Sequence, residues 1–126
     1  MAQWLGQFTG RTHETRVRDA EDALGRAVEA WRDVSTPHER PKKAQNVRHR
    51  ATRLLQARIR LVRARLARAR EPRMTGQSSA WADGIERLRA QETATRQRGV
   101  EAILVEFGAE ALAAVNGSEA AASASE

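Results

Sequence analysis

The chain has no cysteine and no tyrosine, and its aromatics come to three Trp and two Phe in 126 residues. Without Cys there is no disulfide framework, no thiolate metal site and no cysteine nucleophile. That composition fits a reducing compartment. With so few aromatics, a core must be made from Ala, Leu and Val, side chains that suit close helix packing. No apolar run approaches the roughly 20 residues that a membrane span needs. The opening MAQWLGQFTGRTH shows no charged segment followed by an apolar one, as a secretory signal would. A cytoplasmic location is the expectation, and the length fits one domain.

What the chain does have is arginine: 20 Arg against two Lys. The bias is uneven. Between Arg40 and Arg73 stand thirteen basic residues and one acid, Glu71, a formal +12 in a chain whose total is +6. Everything outside that stretch therefore sums to −6. The planar guanidinium fork suits phosphate and carboxylate. A GC-rich bacterial coding sequence would produce the same preference for Arg over Lys.

Residues 1–11 form an N-terminal arm in which Trp4, Leu5 and Phe8 share one helical face, though Gly6 and Gly10 weaken a helix there. Those aromatics would cover one end of the core, or anchor a partner. A first helix is predicted from Thr12 as N-cap. Val17, Ala20, Leu24, Ala27, Trp31 and Val34 recur at steps of three and four, the seam of a bundle. Glu14 with Arg18, and Asp22 with Arg26, have the spacing of supporting ion pairs. The run STPHERP breaks the chain. Thr36 and Glu39 have capping-box spacing, while Pro41 forces either a short turn before the next helix or a start at Pro41 itself.

The second helix is predicted over residues 41–70. Leu55, Ile59, Val62, Leu66 and Ala69 form its apolar stripe, and Ala44, Val47 and Ala51 extend it backward. Leu54 and Leu61 widen the face enough for two neighbours. Arg58 and Arg65 lie near its edge. Arg50, Arg53, Arg60, Arg63, Arg68 and Arg70 take most of the other side. Pro72 and Gly76 mark the next stop, and Ser78 or Ser79 caps a third helix. That helix opens with Trp81, Ile85 and Leu88 and has a polar middle from Gln91 to Gly99. An apolar end follows with Val100, Ile103, Leu104 and Phe107, so the region is one weak-centred helix or two shorter ones. After Gly108 a short helical piece should stop at Asn116-Gly117.

No constellation for catalysis stands out. His13, His38 and His49 are scattered, and none joins a second ligand type at metal spacing. Adjacent acids such as Glu21 and Asp22 read as solvated surface, and no nucleophile motif is present. No metal, cofactor or small-molecule substrate is implied. The basic helix is the one candidate surface, with Lys42, Lys43, Arg50, Arg53, Arg60, Arg63, Arg68 and Arg70 as its binding residues. Nucleic-acid phosphate is the first partner class, bound through counterion release. With no aromatics among the arginines, base stacking is not indicated. The alternative is a protein interaction module, docking an acidic surface or a second copy of the chain. A membrane surface suits this helix poorly. Acids of the flanking helices could also neutralise the arginines from within.

The expected architecture is all-α: a three-helix up-down-up bundle over residues 12–116 with a long central basic helix. A short fourth helical segment and a disordered tail over 117–126 complete it.

Overall fold

Among the described residues four helices carry the chain: α1 (Ala2–Arg32), α2 (Arg40–Ala69), α3 (Ser79–Glu106) and α4 (Ala109–Ala124). A single 3₁₀ turn, Pro37–Glu39, links α1 to α2. The computed structural model describes the backbone of residues 2–70 and 79–124 and the side chains of 12–70 and 80–116. Among these residues there is no strand, and the all-α bundle is as expected. The stop at Pro72 and Gly76 and the side chains of Trp4, Leu5 and Phe8 lie outside the described residues.

Helix α1 departs from expectation at its start. It begins at Ala2, so Thr12 is an interior residue and not an N-cap. Each interior glycine costs a helix about 1 kcal/mol. Extending an existing helix is nonetheless far cheaper than nucleating a new one. The stripe behaves as its spacing implies. Leu24, Ala27 and Val28 are buried, with Val17, Ala20 and Trp31 packed beside them.

Between the helices, Thr36 is extended and its side chain makes no capping bond. The backbone N–H of Glu39 instead donates to the Thr36 carbonyl at 3.1 Å, closing the 3₁₀ turn. This is the short-turn solution to the Pro41 problem, with Pro41 in the first turn of α2 where its missing N–H costs least. The Arg40 guanidinium stacks over the Trp31 ring at 4.7 Å and fastens the corner.

Helix α2 is the hub. It touches α1, α3 and α4, whereas α1 and α3 do not meet among the described residues. α4 closes the open side by packing on α1, α2 and α3. Serving several neighbours widens the buried arc of α2 and moves its centre. Leu54 is fully buried, while Leu55 and Ile59, expected at the centre of the stripe, are only half-buried. The buried row reads Ala44, Val47, Ala51, Leu54, Val62 and Leu66. Arg58 fills the gap between Leu54 and Val62.

Helix α3 divides its work at Gly99. Before it, Ile85 is buried and the Trp81 indole N–H donates to the Ala69 carbonyl at 2.7 Å. That bond satisfies one of the carbonyls left open at the end of α2. After it, Ile103 and Leu104 join the main core with α1, α2 and α4. Gly99 itself has φ 64° and ψ −159°, a backbone region essentially reserved for glycine. Gly108, at φ 108°, then separates α3 from α4. α4 does not stop at Asn116-Gly117 but continues to Ala124. The alanines at 120–122 and 124 have the highest helix propensity of any residue and carry the helix past the break that Asn-Gly would otherwise make. The core is wholly apolar among the described residues, with Ala27, Ala51, Ala111 and Ala114 letting backbones approach closely.

Glycine substitutions should separate these roles. A Cβ at Gly25, Gly84, Gly99 or Gly108 would meet open space, so backbone conformation alone decides the sign. Gly84→Ala, in a regular helix, should stabilise by about 0.5–1 kcal/mol, and Gly99→Ala should destabilise by about 1–3 kcal/mol. Chemical denaturation checks both. In the same assay Leu54→Ala should cost about 2–5 kcal/mol, and Leu55→Ala clearly less.

Candidate functional site

Apart from Arg40, which stacks on Trp31, and Arg48, the arginines of α2 fall into two sets, sorted by whether a neighbouring helix offers an acid. Arg58 sits in the apolar row with its side chain 26% exposed. Its two terminal nitrogens each donate to a Glu106 carboxylate oxygen at 2.8 Å. This forked pair lets a cation occupy a core-facing position. The bond from Arg58 holds Glu106 below the usual carboxylate range, against the opposing effect of burial, and Arg58 is pushed up in turn. Arg63 donates to Glu92 of α3 at 2.9 Å. With help from Arg96, it holds Glu92 below its ordinary value. Arg65 reaches Glu14 of α1 at 3.6 Å. Glu14 thus pairs across helices and not with Arg18, and no ion pair forms between Asp22 and Arg26.

The other set remains outward. Lys42, Arg50, Arg53, Arg60, Arg68 and Arg70 are exposed and Lys43 is half-exposed. None makes an ion pair with a described residue. Arg63, read from the sequence as a solvent-facing member of this group, is the exception. Its position puts it on the α3 flank, where Glu92 engages it.

Three members of the outward set are gathered into one feature. A groove of about 680 Å³ runs between α1 and α2. Helix α2 contributes Arg50, Arg53, Gln56, Ala57 and Arg60 to it, and α1 contributes His13, Arg16, Asp19, Ala20, Ala23 and Arg26. Five arginines therefore face one acid, with alanines between them and no Trp, Tyr or Phe. The structure does not bring Lys42, Lys43, Arg68 or Arg70 into the groove. They lie on the turns of α2 beyond its two ends.

Arg16 and Arg26 are the site residues that the basic tract conceals, because they belong to a helix whose five arginines are matched by five acids. Their signal is positional. His13, Arg16, Ala20, Ala23 and Arg26 follow at steps of three and four on the flank of the α1 seam. Pairing α1 with α2 turns that flank toward the arginine face. Chemically, the groove offers forked donors from two walls, suited to phosphate or carboxylate oxygens. Among the described residues no group of three or more His, Asp or Glu side chains is placed to hold a metal ion, and no helix is long and apolar enough to cross a membrane.

The Arg58–Glu106 pair has a definite pH signature. A carboxyl whose folded pKa lies below its unfolded value stabilises fully above the unfolded range, near 4.3, and loses that contribution as pH falls through the folded value. Glu106→Gln should therefore cost about 1 kcal/mol or less at pH 7, given the partial exposure of both partners. The gap between Glu106→Gln and the parent chain should narrow as the pH is lowered from 7 to 3, as read by urea denaturation at both pH values.

Comparison with protein-family models, with curated proteins and with solved structures finds no match to this chain, so its function is argued from the geometry of the groove.

Proposed function

We propose that this is a non-enzymatic, nucleic-acid-associated helical protein that holds the phosphate backbone through the arginine face of α2. The observation that carries the reading is the groove, where Arg50, Arg53 and Arg60 of α2 are joined by Arg16 and Arg26 of α1 with Asp19 as the one opposing charge. These five arginines are left without an ion pair to a described residue, although acids elsewhere engage Arg58, Arg63 and Arg65. Clustered cations repel one another and add nothing to the fold, and an anionic partner relieves that repulsion. Phosphate oxygens accept the forked bonds of arginine, and release of condensed counterions supplies the driving force. No Trp, Tyr or Phe lines the groove, and contacts to phosphate carry no sequence information, so binding led by the backbone is indifferent to sequence.

Fluorescence anisotropy with random-sequence DNA, single-stranded and duplex, tests the reading. Five phosphate contacts imply that affinity falls roughly 10²- to 10³-fold between 50 and 200 mM salt. Absence of binding to any nucleic acid at 50 mM, or binding that ignores salt, would overturn it.

A further inference from the structure

We infer that the α1–α2 groove is a single-strand site: it seats one phosphodiester backbone between the two helices, with the bases turned outward. This rests on the nucleic-acid reading above and adds which form of nucleic acid is taken and how it lies. Register is the first argument. Trp31 against Arg40 at one end and Glu14 against Arg65 at the other fix α1 and α2 as antiparallel neighbours. The same alignment sets Arg26 across from Arg50 and Arg16 across from Arg60. The groove thus has an arginine pair near each end, about 15 Å apart along α2, with Arg53 between.

Width is the second argument. Packed helices stand about 8–10 Å axis to axis. The furrow between their outward rows admits one chain of phosphates with cations on both sides. A duplex, whose major groove alone is about 12 Å wide, is too broad to enter and would touch only the rims. The floor is the third argument. Ala20, Ala23 and Ala57 leave open the volume that larger side chains would fill, and keep the arginine walls apart. No Trp, Tyr or Phe lines the groove and His13 is its one ring, so the five guanidinium groups make the sugar-phosphate edge the part that fits best.

The test compares three fluorescent probes at low salt: oligothymidine, an abasic sugar-phosphate oligomer of equal length, and a hairpin duplex. The proposal expects the abasic oligomer to bind as tightly as oligothymidine, and the duplex to bind more weakly. Arg16→Glu with Arg26→Glu should weaken single-strand binding at least ~10-fold and flatten the salt slope by about 1.4, two contacts at about 0.7 each. Arg87→Glu with Arg98→Glu makes the same charge change on exposed positions of α3 and should weaken binding far less. Ala57→Phe should weaken binding by filling the floor. Asp19→Asn should tighten it, a gain that damage to the fold would not produce and that keeps the proposal testable if Ala57→Phe fails to fold. Binding of the duplex in preference to both single-stranded probes, or equal losses from the α1 and α3 charge reversals, would overturn the groove assignment and leave the broader nucleic-acid reading standing. Failure of the parent protein to bind any probe would remove that reading itself.

Discussion

Everything in this fold depends on α2 being shared. One helix supplies the packing surface for α1, α3 and α4, and among the described residues α1 and α3 do not touch each other. A helix serving three neighbours must be apolar over a wide arc, which is why Leu54 and Val47 are fully buried while Leu55, Ile59 and Leu61 make the shoulders. Arginines crowd the arc left over. Sharing α2 therefore fixes both the core and the surface charge, because each neighbour that packs on α2 also decides which arginines it can reach.

The charge distribution follows from that geometry. Where a neighbour brings a carboxylate, the arginine is engaged: Arg58 by Glu106, Arg63 by Glu92, Arg65 by Glu14. Such pairs contribute little individually to stability when exposed. Their effect is to remove three cations from the outward set and leave the rest concentrated. On the α1 flank no acid among the described residues takes Arg50, Arg53 or Arg60, and α1 adds two more arginines. Like charges held on low-dielectric walls focus potential and raise the local concentration of an oppositely charged partner. The −6 carried by the rest of the chain sharpens the contrast, since it disfavours an anion elsewhere.

Much of the fold was legible in the sequence. The steps of three and four through Leu24 and Ala27, and through Val62 and Leu66, located two helices and their inner faces. Pro37 and Pro41 located the turn between them, while the polar run ending in Gly99 left open one weak-centred helix or two, a choice that the backbone at Gly99 decides. The helix limits were not legible. Gly6 and Gly10, and Asn116-Gly117, are local breakers, yet helix continues through both, because propagation and a run of alanines outweigh isolated unfavourable residues. The centre of the α2 face was not legible either, since the wheel places Leu55 and Ile59 inward with room for two neighbours, and the true centre is set by three. The candidate site was half legible. The α2 tract declared itself by charge, but Arg16 and Arg26 are separated from it in sequence and lie among acids. Only the antiparallel register of α1 on α2 unites them, and the same register puts Lys42, Lys43, Arg68 and Arg70 beyond the groove ends.

The claim that the α1–α2 groove is the working surface is tested most directly by chemical-shift mapping on isotope-labelled protein as a short single-stranded oligonucleotide is added. The account requires the shifts, including those of arginine Nε groups, to concentrate on residues 13–26 and 50–60, with α3 and α4 largely unmoved. Shifts centred on α3 or α4, or none at a low salt concentration, would contradict it.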